Sequence, residues 1–489
     1  MTIHTYGHTR TYEMEALLKL FVPAQKFAFS TAADLPTGDY ISAVMRENAD
    51  GTIHLVCRTQ IGTQQRMREA DCPAVQGNLL DKALSTLLYP LLCDITGLRP
   101  PWGMLTGIRP VNLLRRSAER MGSLEKAKEH FRDVWQVSEE KIALAEQILI
   151  AQQPIFQQTP KKAVGVYVSI PFCPTRCRYC SFVSNSVAQM RKLLPQYMDA
   201  LLQEIGIVAA LLQQTNLAVD TLYIGGGTPT VLEPADLHRL LDALQEKIIA
   251  PNTVPLREFT VEAGRPDTIT VEKLQVLRDF HVTRISVNPQ SFNDAVLQAA
   301  GRPHTAQDTV DAYLLAKKMG FANINMDLIA GLPCDTLTNF RASVDQAISL
   351  DPASITVHCL SLKKAADFYQ TLPMPDAGTV GEMVAYAQNT LCGRQYRPYY
   401  LYRQKNMAAN LENVGYAKAG FESPYNIMMM DDSQTILGIG SGASTKLIGG
   451  TRGIERLTEC KYPYEYLNRF DALMAQKRQL VLPLAQIKA

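Results

Sequence analysis

From residue 165 onward, short apolar runs alternate with longer stretches of helical period. The runs cover 165–170, 221–224, 258–262, 284–287, 325–329 and 354–358. Between them, 190–212, 235–249, 271–280, 305–319 and 337–350 repeat apolar residues every three to four positions. Strand-then-helix alternation of this kind predicts a parallel sheet flanked by helices. Upstream the pattern changes. Two strand-like runs, 40–44 and 52–59, flank the hairpin signal Asn48-Ala49-Asp50-Gly51. Helical spacing covers 78–93; Pro100, Pro101, Gly103, Gly107 and Pro110 then interrupt any regular element. Helical pattern resumes over 124–152, and 152–162 reads as a polar linker. Downstream of Ala377 the pattern is helix, strand, helix. Three domains are expected: an N-terminal α+β domain over 1–160, an α/β barrel over 161–376 and a C-terminal extension over 377–489 that would enclose the substrate cavity.

Bulk properties narrow the setting. Of 489 residues, 46% are hydrophobic and 20% charged, the balance of an ordinary globular chain. The net charge of +2 projects no field toward nucleic acid or an anionic membrane, so neither is an expected partner. No run of about 18 apolar residues is present, so no transmembrane helix is expected. The first ten residues contain no apolar segment of signal-peptide type. Ten cysteines are too few and too scattered for a disulfide scaffold of this length. A cytoplasmic monomer is the expectation.

The chemistry concentrates where the first barrel strand ends. Cys173, Cys177 and Cys180 stand at C-x3-C-x2-C spacing, and the next cysteine is Cys334. Three thiolates on so short a loop converge on an inorganic centre more readily than they serve packing. Iron–sulfur clusters normally take four cysteines, so three suggest a [4Fe–4S] cluster with one iron open to a small ligand. A structural zinc site wants four closed ligands, and Ser181 and Phe182 offer no obvious fourth. Zinc or redox thiols remain the alternatives at this point.

Each later strand is followed by another polar or glycine-rich element. After the second comes Gly225-Gly226-Gly227-Thr228-Pro229, where adjacent glycines admit a ligand close to the backbone. Glu262 follows the third strand, Gln290 the fourth, with Arg302 twelve residues on, and Asp327 lies on the fifth. Singly, each reads as a helix cap or a surface ion pair. Together, one per strand end, they form a constellation at the face where such barrels carry their active sites.

The form C-x3-C-x-Tyr-C after a strand resembles the radical S-adenosylmethionine (SAM) superfamily. That resemblance implies an open, partial (β/α)6 TIM-type barrel, a [4Fe–4S] cluster and SAM. The open iron would bind the amino and carboxylate groups of SAM, and one electron would cleave it to a hydrogen-abstracting 5′-deoxyadenosyl radical. Over 167–333 the order and spacing are similar to the coproporphyrinogen dehydrogenase branch. By position this implies cluster ligands Cys173, Cys177 and Cys180, and SAM contacts at Tyr167, Gly226, Gly227, Thr228, Glu262, Gln290, Arg302 and Asp327. Tyr179 would stack on adenine. The stretches 102–110 and 399–407 resemble the HemZ-type subgroup.

The implied activity is oxidative decarboxylation of coproporphyrinogen III to protoporphyrinogen IX, with a flavodoxin or ferredoxin as electron donor. Two departures stand against it. The oxygen-independent enzymes carry a further cysteine two residues after the third ligand, where this chain has Phe182. The haem-chaperone branch lacks that cysteine too, but carries His-Asn-x-x-Tyr-Trp, and the nearest stretch here, 424–430, has none of its His, Tyr or Trp in place. Haem binding and trafficking, or a radical SAM methyltransferase acting on haem, are the competing readings. Two basic stretches bear on the substrate. Arg394, Arg397 and Arg403 interleave with Tyr396, Tyr399, Tyr400 and Tyr402, which suits either a flat carboxylated tetrapyrrole or a wet edge strand. Arg109, Arg115 and Arg116 read as a solvated face beside an ordered loop.

Overall fold

A computed structural model describes residues 1–22, 25–74, 76–107, 109–182, 185–363, 366–368, 375–404, 407–450 and 453–486. The six apolar runs are six parallel strands: β1 (Ala163–Ile170), β2 (Ala218–Gly226), β3 (Glu258–Glu262), β4 (Arg284–Ser286), β5 (Ile324–Ala330) and β6 (Ser354–Cys359). They pair in chain order, each parallel to the next. Helices intervene, and three of them begin where Thr side chains cap them. Thr270 accepts from Lys273 N–H, Thr336 from Asn339 N–H, and Thr305 forms a reciprocal capping box with Asp308.

Among the described residues the sheet does not close. Beyond β6 it continues with antiparallel β7 (Arg397–Tyr402) and β8 (Asn413–Ala417), in the order β6, β8, β7. Beyond β1 come parallel β9 (Ile436–Ile439), then antiparallel β10 (Ser444–Gly450) and β11 (Gly453–Thr458). The partial α/β barrel expected from the sequence is therefore the observed fold.

One face of this sheet is polar. Glu258 accepts hydrogen bonds from Thr260 Oγ1 (2.5 Å), Ser423 Oγ (2.8 Å) and the Tyr425 N–H (3.1 Å). Arg284 donates to Asn323 Oδ1 (3.1 Å) and Ser354 Oγ (2.9 Å). Both charged residues are almost fully buried. A buried charge is tolerable only when paired in this way.

Contacts divide the chain into two units, 1–146 with 403–411, and 147–402 with 412–489. The first holds a five-stranded sheet in the order Ala28–Ser30, Thr2–Tyr6, Tyr40–Glu47, Ile53–Ile61, Gln64–Cys72. Helices Thr11–Leu18 and Asn78–Thr96 supply Leu17, Leu84 and Leu88 to the core beneath it.

Three expectations need correction. The helical stretch 124–152 is two helices, Leu124–Asp133 and Glu139–Gln157, separated where Gln136 takes a φ of 56°. The polar linker over 152–162 is helical as far as Gln157. Gln152 is buried and donates to Tyr399 O at 3.1 Å, while Ile155 and Phe156 pack against a cluster that includes Tyr399 and Tyr400. The Arg/Tyr stretch is no open plate. Tyr399 and Tyr400 are core residues. The Arg403 guanidinium donates to the carbonyls of Leu105 (2.5 Å), Gly107 (3.4 Å) and Asn410 (3.1 Å) and lies 5.8 Å over the Trp102 ring. Buried Trp102, Met104 and Leu105 make residues 102–105 a packed loop. Ile108, Lys405 and Asn406, which belong to the 102–110 and 399–407 stretches, lie outside the described residues.

Candidate functional site

The cysteine loop leaves the end of β1. Phe172–Cys173 pairs with Asn185–Ser186, the Cys180 N–H donates to Cys177 O at 3.1 Å, and the Arg178 N–H donates to Ala300 O at 3.0 Å. The three thiols are reduced and partly exposed. Burial pushes the Cys177 thiol up, but the Arg302 and Arg265 guanidiniums outweigh it and hold the group below the ordinary thiol range. Cys180 is pushed up to about 12 by burial and by the neighbouring Cys177 thiol. Among the described residues, no three His, Cys, Asp or Glu side chains are gathered on a single metal ion.

The glycine turn after β2 lies directly against this loop. The Gly227 N–H donates to Ile170 O and the Thr228 N–H to Phe172 O, both at 2.8 Å. A Cβ on Gly227 would stand 2.4 Å from Phe172 O and 2.9 Å from Cys173 Sγ, so only glycine fits. Gly226 has a φ of 111°, which a side chain would strain. Thr228 Oγ1 donates to Cys173 Sγ at 3.5 Å.

Next along the strand ends is Glu262. It accepts from Tyr223 Oη at 2.5 Å. Burial pushes its carboxyl up to about 7; the Tyr223 hydrogen bond works against that shift and the Asp327 charge adds to it. Tyr223 stacks on Tyr425 at 4.5 Å between ring centres, and Tyr167 stacks on both at 6.1 and 6.4 Å. Burial works upward on Asp327 as well. There the nearby His358 and a 2.7 Å hydrogen bond from Asn325 Nδ2 prevail, leaving the carboxyl below its ordinary range. His358 Nε2 lies 3.7 Å from Asp327 Oδ1.

Gln290 is held at a φ of 67° by bridging β5: its N–H donates to Asp327 O (2.8 Å) and its carbonyl accepts from Ile329 N–H (3.0 Å). Arg302 is buried and donates to Asn288 O (2.5 Å) and through Nε to Tyr179 Oη (3.1 Å). The Tyr179 ring packs beside Val296, Ile329 and Phe368.

Of the twelve residues singled out in the sequence, Tyr167 and Asp327 lie within β1 and β5, Arg302 follows the helix Asp294–Ala299, and the others lie on the cysteine loop or in or just after the C-terminal ends of β2 to β4. Sequence reasoning missed several neighbours: Tyr223, Arg265, Ser286, Asn288, His358 and Tyr425. A signal for some was present. Polar residues recur at every second position in Arg284-Ile285-Ser286-Val287-Asn288-Pro289-Gln290, the period of one strand face.

These residues fit an iron–sulfur cluster with a polar ligand. Three thiols share one loop, and the glycine turn leaves Cys173 Sγ approachable. Gln290 Oε1, Asn288 Oδ1 and Ser286 Oγ are buried with no hydrogen-bond partner among the described residues. Such atoms are rarely left bare in a folded protein unless something else is bound to them.

Comparison with known proteins agrees. A family model described as the radical SAM superfamily matches residues 167–347. An oxygen-independent coproporphyrinogen-III oxidase-like protein, HemZ, of Bacillus subtilis (strain 168) is 39% identical over 401 residues, 81% of this chain and 79% of that one. The heme chaperone HemW of the same organism is 33% identical over 295 residues, 59% of this chain and 72% of that one. Among solved structures, coproporphyrinogen III oxidase (HemN) from Escherichia coli superposes with a TM-score of 0.52 at 22% identity, over 66% of this chain and 72% of that one. The superfamily uses a [4Fe–4S] cluster and S-adenosylmethionine. The chain belongs to the radical SAM superfamily, in the family of oxygen-independent coproporphyrinogen-III oxidase-like proteins.

Proposed function

We propose that the protein oxidatively decarboxylates two propionates of coproporphyrinogen III to vinyl groups, giving protoporphyrinogen IX. When bound, the cluster and SAM supply the radical that removes a hydrogen atom from a propionate β-carbon. The rest of the balance is simple: each propionate then loses carbon dioxide and one electron, which passes to an acceptor outside this chain. A flavodoxin or ferredoxin fits the role of donor.

In this reading Cys173, Cys177 and Cys180 hold the cluster. Gly226, Gly227 and Thr228 line the approach to it. Glu262 and Arg302 bring opposite charges to the amino acid end of SAM, one accepting hydrogen bonds and one donating them. Tyr167, Tyr179, Gln290 and Asp327 complete the contacts. Gln290 supports this assignment in particular, because a buried carbonyl oxygen without a partner awaits a donor from a ligand.

The observation that favours an enzyme over a haem carrier is the state of the stretch nearest the chaperone motif. In helix Pro424–Asp431, Tyr425, Ile427 and Met428 are buried, and Tyr425 lies in the tyrosine stack. It contains no histidine. The test is anaerobic. Reconstituted protein with coproporphyrinogen III, SAM and a low-potential reductant should form 5′-deoxyadenosine in a substrate-dependent way, and a product lighter than the substrate by two carbon dioxides and four hydrogens, read by mass spectrometry as two vinyl groups. Tight one-to-one haem binding with no vinyl product would establish the carrier instead.

A further inference from the structure

Arg265 has no part in the assignments above, yet its side chain reaches the cysteine loop. It stands three residues after Glu262 at the start of the short turn Pro266–Thr268 and is 3% exposed. One end of its guanidinium is fixed by Asp267: Nε donates to Oδ1 at 2.8 Å and Nη2 to Oδ2 at 2.7 Å. The other end faces the loop, where Nη1 donates to Thr175 Oγ1 (3.1 Å), Thr175 O (3.4 Å) and Cys177 Sγ (3.9 Å). The turn that carries it is braced in turn. Thr268 Oγ1 donates to Arg265 O at 2.8 Å and lies 2.7 Å from Thr230 Oγ1, whose own carbonyl accepts from Lys273 Nζ at 2.7 Å.

We propose that Arg265 is a positioning residue for the cysteine loop, and that its charge favours the reduced form of the cluster held there. The proposal rests on the reading of Cys173, Cys177 and Cys180 as the cluster ligands. The physical argument has two parts. The forked ion pair with Asp267 removes the rotamer freedom of a long side chain, so the third nitrogen arrives at Thr175 and Cys177 already oriented. Reduction then adds one negative charge to the cluster, and a cation hydrogen-bonded to a ligand sulfur stabilises that added charge. Asp267 does not cancel the effect. Its side chain is 32% exposed against 3% for Arg265, and it lines an open cavity of about 420 Å³, so water screens the anion more than the cation.

The experiment uses the full chain, reconstituted anaerobically. Wild type, Arg265→Gln, Arg265→Lys and Asp267→Asn are compared for iron content and for the one-electron reduction midpoint, read by electron paramagnetic resonance with viologen mediators and dithionite as reductant. At a fixed potential, Arg265→Gln should lower the reduced-to-oxidised ratio about tenfold, a shift of about 59 mV to more negative potential. Asp267→Asn should move the midpoint in the opposite direction, and Arg265→Lys should keep most of the wild-type value. Opposite signs from two members of one ion pair are what a charge effect requires; loosening of the loop would move both the same way. Equal midpoints in all four proteins, or shifts of the same sign in the Gln and Asn variants, overturn the proposal. If Arg265→Gln holds no iron, the Asn variant decides alone, and an unmoved or more negative midpoint there is refutation. A cluster that survives Cys177→Ala would instead show that the cysteine reading has failed.

Discussion

Replacing Glu262 by Gln tests the SAM site through both affinity and pH. The carboxyl is half-buried beside Tyr223, Gly226 and Asp327, and that burial pushes it up to about 7 from the ordinary 4.5. Only its ionised form accepts hydrogen bonds from SAM without giving one, and only that form attracts the sulfonium charge. A hydrogen bond to a charged group is worth about 1.5–3 kcal/mol, so at pH 7.5 Glu262→Gln should weaken SAM binding by about tenfold to a hundredfold. Below pH 7 the wild type must first lose a proton. Apparent affinity scales with the competent fraction. That fraction rises from about 3% at pH 5.5 to about 24% at pH 6.5, so wild-type affinity should rise about eightfold over this unit. The α-amino group of free SAM, of a kind that titrates near 7.7–8.0, must lose its proton to bind the open iron; both proteins share that dependence, so the eightfold rise is the excess of wild type over the variant. The variant has no carboxyl to titrate there and reports whatever pH dependence the rest of the site carries.

The same shift predicts a stability effect of definite sign. Between about 4.5 and 7 the folded SAM-free protein retains a proton that the unfolded chain has lost, so stability falls as pH rises through this window. Glu262→Gln should flatten that part of the profile. The assay for binding is anaerobic calorimetric titration with SAM in the absence of reductant, run at several pH values, with thermal midpoints from the same samples. Affinities within twofold of each other at pH 7.5, or identical pH slopes in the two proteins, would refute the reasoning.

Two further outcomes are expected. Cys173→Ala, Cys177→Ala and Cys180→Ala should each abolish or severely reduce the iron–sulfur absorbance at roughly 400 nm, whereas Cys57→Ala should retain it, because burial pushes the Cys57 thiol up to about 12 and leaves it inert; full iron in Cys177→Ala would count against the cluster assignment. Arg403→Ala should destabilise the unit that contains Trp102 by about 2–3 kcal/mol, since carbonyls of Leu105, Gly107 and Asn410 lose a charged donor; a urea transition at the wild-type midpoint would contradict that.

How much of this was legible in the sequence depends on the range of the interactions involved. The six parallel strands and their helices follow from local periodicity and Thr caps, and β3 and helix Leu337–Leu350 match the reading end for end. The helix over 139–157 was misjudged because its polar Gln152 is satisfied by a carbonyl 247 residues away, which no local pattern discloses. Arg403 was misjudged for the same reason. Its partner Leu105 O lies 298 positions upstream, and a guanidinium that fastens a loop has the same composition as one that holds a propionate. The brace behind the cysteine loop is equally hidden. Ser169 Oγ donates to Ser441 O at 2.7 Å, Gly440 N–H donates to Glu204 at 2.8 Å, and Lys477 pairs with Glu204 and Glu459. Four distant places in the chain, at Glu204, Gly440–Ser441, Glu459 and Lys477, are thereby linked behind the end of β1, where the loop begins.

What could have been read more fully is the polar face of the barrel strands. Glu258, Thr260 and Glu262, then Arg284, Ser286, Asn288 and Gln290, then Ser354, Thr356 and His358, each recur at a period of two. A sheet face of that character cannot be sealed by an apolar core, because each buried polar atom needs a partner. At the start of the strands the chain supplies those partners: Ser423 and the Tyr425 N–H on Glu258, and Asn323 and Ser354 on Arg284. At and beyond the end of β4 it does not, and Ser286, Asn288 and Gln290 keep oxygens with no partner among the described residues. The unpaired atoms fall at the same end as the cysteine loop, Glu262 and Arg302. A period-two polar pattern on adjacent parallel strands therefore carries information about ligand binding as well as about strand pairing, and the end left unsatisfied is the end where the ligand is to be sought.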